Sequence, residues 1–139
     1  MSRLPGREMQ TMGDGGSDRQ LNVLGTPLEV CCKKPMTGFY RDGYCNTGPM
    51  DTGTHTVCSE MTDSFLSFSA WAGNDLITPV PAYDFPGLKA GDFWCLCARR
   101  WLEAQQAGYA PKIWLRRTNI KTLQIVPLQL LKEYALDDS

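Results

Sequence analysis

The stretch DFWCLCARRWLEAQQA, residues 92–107, carries the clearest periodic pattern in the chain and decides the predicted fold. Asp92 is a suitable N-cap, and Gly108 follows at the place where a left-handed residue commonly ends a helix. Apolar residues recur between them at spacings of three and four: Trp94, Cys97, Trp101 and Ala104. The stretch therefore predicts an amphipathic helix.

The rest of the chain predicts short strands and two further helices. Thr62 is a good N-cap for a helix ending near Gly73, and Pro127 suits the first turn of a last helix. Alternating or compact apolar runs predict strands at 28–31, 55–58, 112–117 and 123–126. This order predicts an α+β fold, a small mixed sheet packed against two or three helices in two layers.

Composition separates a tail from a domain and excludes some partners. Residues 1–20 are polar and glycine-rich and predict a disordered tail, whereas 21–139 predict a single α+β domain. The chain contains no apolar run of membrane-spanning length and no apolar secretion signal near its start, so we expect no membrane partner and a cytoplasmic location. The formal net charge of −1 gives no reason to expect a nucleic-acid partner.

One basic stretch departs from this neutral balance. Residues 99–121 contain a single acid, Glu103. Such a stretch either contacts phosphate or an acidic partner, or is simply a solvated face. Its six basic residues are Arg99, Arg100, Lys112, Arg116, Arg117 and Lys121.

The chain has six cysteines, an even number that would allow three disulfides. Cys31 and Cys32 are adjacent, a core of this size needs no covalent staples, and the expected location is reducing. We therefore expect reduced thiols.

Four of the sulfur and imidazole side chains suggest a metal site. His55 and Cys58 form an H-x-x-C pair, and Cys95 and Cys97 form C-x-C. Four such ligands suit tetrahedral zinc. However, residues two apart on a helix point about 200° away from each other, so the C-x-C pair would have to be extended to share one ion. The alternative is that these cysteines are buried and inert.

A cysteine nucleophile is the second candidate chemistry. Cys95 lies in the first turn of the predicted helix, where the positive helix end favours a thiolate, and His55 is the only histidine available as a base. The alternative is that Cys95 packs in the core, as most buried free cysteines do.

Polar loops supply a third candidate, a ligand site. Arg41, Asp42 and Asp51 lie in a loop-rich region, and Asn74 and Asp75 follow a predicted helix. Ordered polar loops on a rigid scaffold often bind ligands. The alternative is that these side chains hydrogen-bond to their own backbone in turns.

Six strings lie in order along the chain: LEVC (28–31), TGFYRDG (37–43), HTVC (55–58), GNDL (73–76), FPGL (85–88) and WCLCA (94–98). Together they resemble the family catalogued as domain of unknown function 2237 over about residues 22–137. The resemblance implies an α+β fold and no established activity. In that family a histidine commonly follows the threonine near 118, whereas here Asn119 follows Thr118.

The sequence thus predicts a small soluble binding or accessory domain whose site combines the cysteine and histidine strings with the polar loop. The alternative is a thiol- or metal-dependent enzyme that uses Cys95, Cys58 and His55.

Overall fold

The computed structural model describes residues 19–137, and the predicted tail up to residue 18 lies outside them. Gln20, the last residue of the predicted tail, is hydrogen-bonded into the domain: its side-chain amide donates to Thr47 O (2.8 Å) and accepts from Thr47 N (3.0 Å). None of the helices within 19–137 is long and apolar enough to cross a membrane.

Two antiparallel strands form the centre of the domain. Strand β1 spans His55–Glu60 and strand β2 spans Phe93–Cys97. They pair with Cys58 opposite Cys95 and Ser59 opposite Trp94, and the register is irregular between His55 and Val57. Single bridges extend the pairing from Ser59 to Ile113 (antiparallel) and from Ile113 to Ala135 (parallel). The predicted α+β class is confirmed.

The predicted helix over 92–107 is wrong in its first half. Phe93–Cys97 is strand β2, and helix α2 covers only Ala98–Ala107. Trp94, Cys95 and Leu96 are all buried, so both faces of the strand are covered. A short apolar run of this kind cannot be distinguished from a buried helix by periodicity. Pairing with β1 decides the conformation, since strand preference depends on tertiary context.

Three helix ends agree with their predictions, but Asp92 is not the N-cap of α2: that position is Cys97, and the Asp92 carboxylate accepts from Lys89 N at 3.0 Å. Helix α1 spans Asp63–Trp71, and Thr62 Oγ1 accepts from Phe65 N at 3.1 Å, as a capping threonine should. Gly108 ends α2 in the left-handed conformation (φ 86°). Helix α3 spans Leu128–Glu133 and follows Pro127 as expected.

Three of the four predicted strands do not form ladders. In segment 28–31, Leu28 N donates to Gln20 O and Cys31 N donates to Gly43 O, so the backbone contacts separate loops. Segment 112–117 contributes only the bridges of Ile113 and then a 3-10 turn, Leu115–Arg117. A further 3-10 segment, Ile120–Gln124, covers the start of 123–126. These segments are apolar because they pack against the interior of the domain. They do not extend the sheet.

The apolar interior has a large main cluster, centred on Trp101, Phe65 and Leu96, and a separate cluster of four buried cysteines. Cys31 is bonded to Cys58 and Cys45 to Cys95, with Cα–Cα distances of 5.6 and 5.3 Å. The expectation of reduced thiols is therefore wrong for these four residues. Within the described part of the chain, the free cysteines are Cys32 and Cys97.

Candidate functional site

A cavity of about 490 Å³ lies where loop 38–41, the start of β1, loop 75–85 and strand β2 meet. A smaller cavity of about 210 Å³ shares His55, Leu76, Trp94 and Cys95 with it and continues to Asn74, Cys97 and Arg100. The two cavities thus bring together most of the predicted site residues. The larger one is lined by Gly38, Phe39, Arg41, His55, Asp75, Leu76, Val80, Tyr83, Phe85, Trp94 and Cys95.

The imidazole of His55 is oriented by a buried carboxylate. The Asp51 side chain is fully buried, and its Oδ1 lies 2.6 Å from His55 Nδ1. Its Oδ2 accepts from His55 N and from Thr47 Oγ1, both at 2.9 Å. A carboxylate can only accept hydrogen bonds, so Nδ1 carries the hydrogen and Nε2 remains available. The His55 side chain is 40% exposed, so that nitrogen is accessible to a small molecule.

The ring of His55 is also held by neighbours on its sides. Phe39 stacks on it with ring centroids 6.1 Å apart and planes tilted by 24°. A Cβ at Gly53 would lie only 2.7 Å from His55 Cε1, which is closer than carbon atoms normally approach. A side chain at position 53 would therefore displace the His55 ring.

Arg41 places a positive charge at the cavity wall. Its guanidinium donates to Gly38 O (2.7 Å) and Tyr83 O (3.2 Å) and lies 5.2 Å from the centre of the Trp94 ring. Its Nε is buried without a hydrogen-bond partner. Among residues 19–137, no carboxylate lies within salt-bridge distance of Arg41.

The other predicted ligand residues hold turns. Asp75 Oδ2 accepts from Thr78 Oγ1 (2.6 Å), and its Oδ1 accepts from the backbone of Ile77 (2.8 Å). These hydrogen bonds, that from the Thr78 hydroxyl foremost, lower the pKa of Asp75 below its ordinary value. Asp42 lies outside the cavity lining and accepts from Tyr44 N at 3.0 Å. Asn74 accepts from the Ser69 hydroxyl through its backbone oxygen at 2.6 Å.

The predicted zinc ligands are only partly brought together. Cys58 and Cys95 are opposite each other on β1 and β2, but each is bonded to a loop cysteine. Cys97 is opposite His55 and has no disulfide partner. With its sulfur in the Cys45–Cys95 bond, Cys95 is not a nucleophilic thiol, and it lies in a strand instead of a helix turn.

Sequence reasoning misses Trp94 and Tyr83 as cavity residues, and Cys31 and Cys45 as the disulfide partners of Cys58 and Cys95. The periodic pattern places Trp94 on the apolar face of a predicted helix. An interpretation of residues 93–97 as a buried strand would not have placed it there. No local signal distinguishes Cys31 and Cys45, because their role depends on contacts with residues 27 and 50 positions away.

The basic stretch has partners within the fold. Arg117 stacks on Trp114 at 4.3 Å, and Arg100 pairs with Glu103 at 3.1 Å. Arg116 lies 3.8 Å from Asp137. These contacts favour the interpretation of a solvated face.

Together, the fold and the cavity define a small disulfide-containing α+β domain with one oriented histidine at a partly apolar cavity. The chain belongs to the family described as uncharacterized protein conserved in bacteria (DUF2237), whose model matches residues 21–135. A comparison with curated proteins finds no match.

Proposed function

We propose that this domain binds a small organic anion in the cavity between Arg41 and His55. The observation that carries the proposal is the guanidinium of Arg41, which lines the cavity with a buried Nε and no carboxylate at salt-bridge distance within 19–137. A cation in such a place gains most from an anionic ligand, because hydrogen bonds to charged groups are stronger than neutral ones.

The size and lining of the cavity support a ligand with an apolar or planar body. Its volume falls in the range of about 300–1,000 Å³ that is common for small-molecule sites. Trp94 and Phe85 form part of its wall and pack edge to face at 5.2 Å. Tyr83, at 73% exposure, lies at the rim, where a bound molecule would cover it.

His55 would recognise or activate the ligand through Nε2. Asp51 holds the ring through Nδ1, so Nε2 can accept a hydrogen bond from the ligand. Asp75 is the acid on the wall, but its oxygens already accept from Thr78 and Ile77. The polar groups at the cavity are thus the donor Arg41, the acceptor Nε2 of His55 and one acid occupied by its own turn.

A thiol-dependent enzyme is the second candidate, because Cys95 and His55 line the same cavity. That chemistry requires reduction of the Cys45–Cys95 bond before Cys95 can act.

The cytoplasmic location and the absence of a nucleic-acid partner stay predictions. Disulfides are more typical of oxidising compartments, which favours binding over thiol catalysis.

The test uses benzoate and its neutral counterpart benzamide as probes, followed by NMR. We expect benzoate to shift the indole N–H signal of Trp94 and the ring signals of His55 more strongly than benzamide does. Arg41→Met should weaken benzoate binding about tenfold or more, since it removes a charged donor. Arg99→Met, on the exposed side of α2, is the matched control and should leave binding unchanged.

Equal binding of the two probes, or benzoate binding that survives Arg41→Met, would overturn the proposal. If the reduced chain instead becomes acylated at Cys95 by an activated ester such as p-nitrophenyl benzoate, with release of p-nitrophenol, the thiol-enzyme function takes its place.

A further inference from the structure

The cysteine cluster consists of four buried cysteines from separate parts of the chain. The Sγ atoms of Cys31, Cys45 and Cys58 all lie within 4.8 Å of one another. Cys95 is bonded to Cys45 and adds the fourth sulfur. All four residues are buried, with at most 4% of their surface exposed.

The backbone holds these residues in place independently of the disulfides. Cys31 N donates to Gly43 O at 2.7 Å, and Cys58 N donates to Thr118 Oγ1 at 3.1 Å. Cys95 N donates to the hydroxyl of Thr37 at 2.8 Å. Cys45 O accepts from the side-chain amide of Asn119 at 3.0 Å. Opening the two sulfur–sulfur bonds leaves every one of these hydrogen bonds available.

We propose that the reduced domain binds one zinc ion through Cys31, Cys45, Cys58 and Cys95. A zinc–sulfur bond of about 2.3 Å in a tetrahedron places ligand sulfurs about 3.8 Å apart. Three of the four sulfurs already lie within 4.8 Å of one another, and rotation of the Cys95 side chain would bring the fourth to them once its bond to Cys45 is opened. This set shares only Cys58 and Cys95 with the ligands predicted from the sequence, and it is a closed, structural site with no position for substrate.

The reaction requires a dithiol as reductant. Each disulfide takes two electrons and two protons from one dithiol, which is itself oxidised to a disulfide, so two dithiols yield four cysteine thiols. Binding of Zn²⁺ then releases the four thiol protons, and four zinc–sulfur bonds replace the two sulfur–sulfur bonds. The same four residues would thus stabilise the domain under oxidising conditions by disulfides and under reducing conditions by metal.

The experiment reduces the full chain with excess dithiol under anaerobic conditions, removes the dithiol and titrates Co²⁺ as a spectroscopic probe. We expect one Co²⁺ per chain, with thiolate-to-cobalt charge transfer and the strong d–d absorption of a tetrahedral thiolate site. Zn²⁺ should displace it. Absence of binding, or a weak octahedral spectrum, would overturn the proposal.

Alkylation followed by mass spectrometry identifies the ligands without any substitution. Zn²⁺ should slow modification of Cys31, Cys45, Cys58 and Cys95 together, while Cys32 and Cys97 react as they do without metal. Protection that falls on Cys97 and not on Cys31 would reject this ligand set in favour of the one that includes His55.

Variants give a second measurement. Cys58→Ser should abolish the tetrahedral cobalt spectrum, whereas Cys32→Ser and Cys97→Ser are the controls and should retain it. If Cys58→Ser does not fold, the alkylation pattern of the unsubstituted chain still identifies the zinc ligands.

Discussion

The imidazole of His55 depends on one buried side chain. Asp51 makes hydrogen bonds to the ring, to the backbone of His55 and to Thr47, so the same carboxylate orients the histidine and closes the loop before β1. A carboxylate buried in this way is tolerated because its oxygens are satisfied. Orientation of the ring and local stability are therefore coupled.

The substitution Asp51→Asn should disturb both properties. It replaces a charged acceptor by a neutral amide, so we expect the free energy of unfolding to fall by about 1–3 kcal/mol. The ring should also lose its fixed tautomer, which ¹⁵N NMR of His55 detects. Asp42→Asn, an exposed turn residue, is the control for both measurements. An unchanged tautomer in Asp51→Asn would show that Asp51 does not orient the ring.

The turn at Asp75 predicts a measurable pH effect. Its pKa is lowered in the folded domain, so it contributes stability that is present above its unfolded pKa and is lost as pH falls through its folded pKa. Thr78→Val removes the main cause and should raise the pKa of Asp75 toward 3.8. Carboxyl NMR titration measures this, and Thr78→Ser, which keeps the hydroxyl, should leave it low. Equal pKa values in the two variants would contradict the assignment.

Helix α2 is anchored by one tryptophan. Trp101 is fully buried, its indole N–H donates to Pro111 O at 3.1 Å, and its ring packs edge to face on Tyr134 at 5.1 Å. Trp94, which the sequence pattern places on the same stripe, lies instead on β2 beside Arg41. Both rings belong to the core, and Trp94 also forms part of the cavity wall.

Trp101→Ala should lower the free energy of unfolding by about 3–5 kcal/mol, because it removes a large buried ring and leaves a cavity. Chemical denaturation gives the value. Trp71→Ala is the control: this ring is 83% exposed on α1, so the change should be within about 0.5 kcal/mol. A small effect at Trp101 would mean that the helix is packed on a different face.

Features that depend on neighbouring residues could be predicted from the sequence, whereas features that depend on residues distant in the chain could not. The caps at Thr62 and Gly108 and the start of α3 after Pro127 depend on neighbouring residues, and all three are confirmed. Strand β2 was missed because its conformation depends on β1, a segment distant in the chain that pairs Cys58 with Cys95. Arg41 and His55 were identified as separate candidates, but only the fold shows that they share a cavity.

Two disulfides tie the loops of the molecule to its sheet. Each joins a loop cysteine, Cys31 or Cys45, to a strand cysteine. Closing loops of this length restricts the unfolded chain and contributes typically about 2–5 kcal/mol per bond. The stability of the domain without metal therefore depends on its redox state.

Thiol counting tests this covalent arrangement. Among the cysteines, only Cys32 and Cys97 should be alkylated after unfolding without reductant, and all six after unfolding with it. Reduction without added metal should lower the thermal midpoint by several degrees. The control is Cys32→Ser, in which one label is lost and the midpoint is retained. Labelling of more than two cysteines before reduction would contradict the disulfide assignment.

The two bonds also overlap along the chain, since Cys45 lies between Cys31 and Cys58. Any single peptide bond between residues 31 and 95 is consequently bridged by at least one disulfide. A protease that cuts the exposed loop near Ile77 and Tyr83 should therefore add the mass of one water without releasing a fragment. Two fragments should separate only when reductant is added, as non-reducing and reducing gels would show. Fragments released without reductant would exclude the bond between Cys45 and Cys95. The Cys45–Cys95 bond thus allows the rim of the cavity to be cut without dissociation of the domain.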